Sequence, residues 1–176
     1  MATPQQARPQ FTPEFALGLR EMMLQGLTNE LPITKKVLAA IPEDKRDFRL
    51  DPHARTAGEL AWHLASCDVQ MLEEIAEHKF SMEPRFKDEP RSIRELVEWY
   101  EKNFTRAVDR VRAMSPEQLV TPVDFLGAFN FPAVIYLSFV NNHSIHHRGQ
   151  LSAYLRPMGS KVPSIYGGSY DEPWKG

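Results

Sequence analysis

Asn142-His143-Ser144-Ile145-His146-His147-Arg148-Gly149-Gln150-Leu151 holds three of the chain's six histidines inside one helical pattern. That pattern runs from Ala133 to Leu155 and stops where Pro157 and Gly159 forbid continuation. On a wheel of about 100° per residue with His143 at zero, Tyr136 and Tyr154 fall near about 20°, His147 near about 40°, Val140 near about 60° and Leu151 near about 80°. His143 and His147 therefore share the apolar face, about 6 Å apart along the axis, and can turn both imidazoles toward one point. His146, near about 300°, lies at the edge of that face, and neighbouring side chains diverge too far to share an ion. Arg148, Asn141 and Ser138 fall on the opposite side, which reads as outward. Gln150, near about 340°, reads either as a hydrogen-bond partner or substrate contact beside the histidines, or as a polar residue at the helix boundary. The first half, Ala133 to Val140, is apolar nearly all round, so this helix has to be covered by others.

Those others are found upstream. Thr56-Ala57-Gly58-Glu59 is a capping-box pattern that starts a helix whose inward stripe is Leu60, His63, Leu64, Cys67, Met71 and Ile75, with Glu73, Glu74 and Glu77 outward. Ser92-Ile93-Arg94-Glu95 opens another, and Ile93, Leu96, Val97, Tyr100, Phe104, Ala107, Val108, Val111 and Met114 give it an amphipathic face without a histidine, which marks it as scaffold. From Pro13 onward Phe15, Leu19, Met22, Met23, Gly26 and Leu27 recur at helical spacing, and Ile33, Val37, Leu38 and Ile41 continue the stripe beyond Pro32. Proline removes an amide donor, so one kinked helix or two consecutive ones are expected there. The connections are Pro42–Arg55, Lys79–Arg91 and an irregular stretch from Ser115 to Pro132, with a short helical turn around Glu117 to Leu119. The pattern predicts an all-α four-helix bundle in one domain over 12–176, preceded by a flexible lead over 1–11 and ending in an irregular tail from Lys161.

A buried histidine is costly when charged and needs partners when neutral. Two on one inward face, with His63 on the inward face of a second helix, are explained by a divalent ion or by a hydrogen-bonded core network without one. Cys67, one turn beyond His63, is either a fourth soft ligand or an ordinary buried thiol. Tyr136 and Tyr154 read as core packing, and His53 and His78 sit in or beside loops and read as solvated. The His-Glu-x-x-His arrangement of zinc proteases is absent, no carboxylate stands ready to orient a Cys67–His63 nucleophile pair, and no glycine-rich phosphate loop occurs.

A formal net charge of −2 provides no basic field, so nucleic acid is not an expected partner. One cysteine excludes an intrachain disulfide framework and suits a reducing compartment. With no apolar leader near the N-terminus and no run of about 18 apolar residues, the expectation is a cytoplasmic protein that does not enter the membrane.

The segment Ala57 to Ser66, with His63, together with His143 to Leu151, resembles the DinB-like (YfiT-like) superfamily of metal-dependent four-helix-bundle proteins. Thr34 to Arg49, with its Ile41-Pro42-Glu43-Asp44 turn, and Lys161 to Tyr166 are similar too, so the resemblance covers most of the chain. It implies an up-down-down-up bundle, often a homodimer, with a divalent metal, commonly zinc or nickel, held by His63, His143 and His147. It further implies a metal-dependent transferase joining a low-molecular-weight thiol to an electrophilic small-molecule substrate. The alternatives are a metal-dependent hydrolase and a non-catalytic metal-binding, stress-associated bundle.

Overall fold

A computed structural model describes residues 11–174. The flexible lead expected at the N-terminus falls almost wholly outside them. Four long helices make the frame: α1 (Pro13–Ala39), α2 (Ala57–Glu77), α3 (Ile93–Arg112) and α5 (Leu137–Leu155). Between α3 and α5 lie a short helix, α4 (Pro116–Val120), and the strands β1 (Pro122–Phe125) and β2 (Phe129–Pro132). The strands pair antiparallel with Val123 opposite Phe131, and a single 3-10 turn, Ala133–Tyr136, leads into α5.

The direction of each long helix follows from its cross-links. Asp68, Glu73 and Glu77 of α2 bond to Tyr100, Arg106 and Arg110 of α3, so the numbers rise together and these two helices run parallel. Arg20 of α1 reaches the carbonyl of Met114 while Lys35 pairs with Glu101, so α1 opposes α3. Thr34 bonds Arg148, and the carbonyl of Ala40 accepts from Ser160 just past α5, so α1 and α5 run together. The bundle is up-down-down-up, and α2 and α5, which carry the histidines, are antiparallel neighbours.

Sequence chemistry accounts for the ends. Thr56 caps α2 with a complete capping box: its hydroxyl accepts from Glu59 N, and the Glu59 carboxylate accepts from Thr56 N at 2.7 Å. At α3 the box is only half made, because Ser92 accepts from Glu95 N while the Glu95 carboxylate turns to Arg91 N. α2 ends on His78 in the left-handed conformation at φ 54°, with its Nε2 buried and unpartnered rather than solvated as expected; His53 is exposed.

Of the two alternatives at Pro32, α1 takes the single helix: Pro32 is exposed, and the apolar residues on either side pack into the same core. Other readings are corrected. Phe15 and Met22, read as part of the α1 stripe, lie mostly in solvent. The stretch after α4 is a hairpin held by the Tyr136 hydroxyl, which donates to the Val123 carbonyl and accepts from Phe131 N. Glu73 and Glu74 are buried: Glu73 pairs with Arg106 and Arg110, and Glu74 accepts from Gln70 and Ser81 N.

Candidate metal centre

α2 and α5 bring His63, His143 and His147 together, with one ligand-capable nitrogen from each lying within 4.8 Å of the others. The Nε2 atoms of His63 and His147 are 3.1 Å apart, and those of His63 and His143 are 3.4 Å apart. Imidazole nitrogens about 2.0–2.1 Å from a tetrahedral ion stand about 3.3–3.4 Å from one another, so the spacing fits a shared ion.

The opposite nitrogen of each ring is engaged. His143 Nδ1 donates to Asp68 Oδ1 at 2.7 Å, and His147 Nδ1 donates to Gln150 Oε1 at 2.8 Å. Those two oxygens accept only, so both rings carry a proton on Nδ1 and turn Nε2 inward. His63 Nδ1 lies 3.3 Å from Cys67 Sγ. Cys67 thus stands behind the His63 ring, and its sulfur is not one of the group that converges on the common point. Asp68 is fully buried and is held in turn by the Tyr100 hydroxyl at 2.9 Å. Burial pushes the Tyr100 hydroxyl well above its ordinary pKa, with the Asp68 charge adding to the shift, so it remains a donor.

Three inward-facing nitrogens this close are satisfied by a metal cation, by an added proton, or by a neutral His63 that carries its proton on Nε2 and donates to His147. Burial first, then Arg55 and the neighbouring histidines, lowers His63 to about 4, so it is neutral at physiological pH. His147 is lowered mainly by burial, against the pull of Gln150. His143 behaves oppositely: burial would lower it, but the hydrogen bond and charge of Asp68, with Cys67 assisting, lift it to about 9. With its pKa raised in this way His143 favours an added proton near neutral pH, and a cation at the three nitrogens would compete with that proton.

His146 is exposed, as its edge position predicts, and Gln150 is placed as a partner of His147. Tyr154 bonds the Arg55 carbonyl, away from the three nitrogens. Arg148 is the clear miss, because it is buried, bonded to Thr34 and paired with Glu30 of α1 at 2.5 Å. Asp68 carries no signal of its own in the sequence. It sits directly after Cys67, and its role becomes visible only once α3 and α5 supply Tyr100 and His143.

His63, Cys67 and His143 also line a cavity of about 540 Å³ between α2, the segment after it and the tip of the hairpin. An ion at the three histidines would face this space.

Comparison with known proteins places the arrangement. The DinB family model matches residues 17–175. A protein of Bacillus subtilis strain 168, described as the uncharacterized protein YrdA, is 24% identical over 144 residues, covering 81% of this chain and 85% of its own. A DinB-like protein from Bacillus cereus ATCC 10987 superposes with a TM-score of 0.71 at 28% identity, covering 83% of this chain and 97% of that one. A second, YjoA from Bacillus subtilis, gives a TM-score of 0.69 over 82% of this chain and 97% of that chain; at 19% identity it speaks to the fold alone.

Proposed function

Because this chain belongs to the DinB family, we propose that His63, His143 and His147 hold a divalent metal ion, zinc or nickel, and that the site joins a low-molecular-weight thiol to an electrophilic substrate. The observation that carries the metal reading is the convergence of three Nε2 atoms whose rings are fixed from behind by Asp68, Gln150 and Cys67. An ion held by three neutral imidazoles keeps its double charge and would lower the pKa of a bound thiol toward neutrality. The chain's own contribution is positional. Asp68 and Gln150 set ring orientation and tautomer, and the cavity offers a largely apolar surface beside the reacting pair. The same ion with water as nucleophile gives the hydrolase variant, whose substrate would occupy the same cavity.

The reading extends to one domain over 12–176, a cytoplasmic setting and a homodimer. Among the described residues no helix is long and apolar enough to cross a membrane. Light scattering that gives the single-chain mass of 20.2 kDa at micromolar protein would remove the dimer.

The activity is tested by loading the purified chain with zinc or nickel and assaying conjugation of physiological thiols to a fluorogenic electrophile. Metal-dependent conjugation with at least one thiol is expected. Stoichiometric metal with no turnover by any of them overturns the transferase reading.

A further inference from the structure

The cavity beside the histidines has a largely apolar surface with acidic and polar groups at intervals. On α2, Trp62, Ser66, Gln70 and Glu74 follow one another at four-residue spacing along its edge, with Met71 beside them. That makes one helical face reaching about 16 Å beyond His63. Across from it stand Phe80, Met82 and Phe86 from the segment after α2, and Phe125 from the hairpin. Phe80 packs edge-on against both Phe125 and Tyr136, at 4.8 Å between ring centres in each case, which fixes that wall.

The polar groups of the wall are already committed. The Gln70 amide donates to Glu74 Oε1 at 2.8 Å and to the Glu83 carbonyl at 3.0 Å, and its oxygen accepts from Arg85 N at 3.0 Å. Glu74 Oε1 also accepts from Ser81 N at 3.2 Å. These bonds clasp the segment over the cavity and leave the interior to apolar side chains. Away from the histidines the charge is one-sided: among the described residues Glu59, Glu74 and Glu89 line the space, and no lysine or arginine does. A negative charge held at that far end would lose water and meet carboxylates, with the positive charge of the site left at the other end, beside His63 and His143.

We propose that this cavity binds the electrophile, and that the electrophile is an uncharged, elongated, largely apolar molecule with an aromatic or hydrocarbon body. Calling the occupant a substrate rests on the transferase reading above; its chemical class follows from the walls alone. Electrophiles with a negative charge on the body, away from the histidines, are disfavoured, and the reactive carbon lies at the His63 and His143 end.

The test is calorimetric titration of the zinc-loaded full chain with trans-chalcone, a neutral elongated enone, and with its 4-carboxylate. Chalcone is expected to bind at least tenfold more tightly than the carboxylate. Met82→Lys, at a position 80% exposed on the rim, is expected to narrow that gap at least threefold by adding a cation. Equal or tighter binding of the carboxylate, absence of chalcone binding, or a gap unchanged by Met82→Lys overturns the proposal.

Thiol addition is read separately. A new S–C bond forms at the β-carbon, the alkene π pair moves toward the carbonyl, and the α-carbon takes the proton lost by the thiol. Selective chalcone binding without any addition leaves the cavity assignment standing and removes the transferase reading.

Discussion

Asp68 has no exposed surface, and both of its oxygens are used: Oδ1 takes the Nδ1 proton of His143, and Oδ2 takes the Tyr100 hydroxyl. It therefore fixes the ring that must present Nε2 to an ion. Asp68→Asn keeps the volume but loses the charge that holds His143, and is expected to weaken metal binding by about 10- to 100-fold in competition with a chromophoric chelator. Unchanged affinity would show that the carboxylate does not tune the site. The pH dependence has a definite sign. His143 is raised to about 9, so below that pH a proton occupies the nitrogen an ion needs, while His63, at about 4, stays neutral. Apparent metal affinity should fall about tenfold for each unit of pH lowered from 8 to 6, a slope of one competing proton. A flat profile would contradict the protonated metal-free centre. His63, His143 and His147 were legible in the sequence because helical periodicity alone puts them on inward faces. Asp68 was not, because nothing within α2 distinguishes a buried carboxylate with partners from a solvated one.

α5 explains why the wheel failed for Arg148. A wheel assigns one buried face and one wet face, yet α5 packs against α2 on its histidine side and against α1 on the other. Arg148 thus enters a second interior, where Glu30, Thr34 and Tyr166 receive it. The hairpin was hidden for a different reason: prolines at both ends and Gly127 at its turn read as an irregular connection, and strands of four residues give too little alternation to override that reading. Capping chemistry was fully readable at Thr56. Thr56→Ala should cost about 1 kcal/mol and lower the melting temperature by about 2–4 °C. Because His63 lies about two turns away, metal stoichiometry should be unchanged; a loss of metal would mean that the cap also positions the site. The clasp after α2 makes a local prediction. Gln70→Ala removes the bonds to Glu83 and Arg85, so amide exchange should rise in residues 81–86 while the middle of α2 stays protected. Uniform exchange across both would show that the segment is held by its phenylalanines instead.

The whole bundle turns these parts into one site. Running α2 against α5 sets His63 opposite His143 and His147, and running α3 parallel to α2 sets Tyr100 behind Asp68. The same topology leaves a cavity at the open side of the histidines. The fold class was visible from four helical patterns and their caps, whereas the way α1 and α5 enclose Arg148 depended on tertiary packing that no single helix records. The central claim is that three imidazoles on two helices hold one divalent ion. Its most direct test is elemental analysis of the full chain after loading with zinc or nickel and desalting, beside His63→Ala, His143→Ala and His147→Ala, with helical content checked by circular dichroism. The account predicts about one ion per chain in the unaltered protein and less than about a tenth of that in each folded variant. Full stoichiometric metal in any of the three, or none in the unaltered protein, would contradict it.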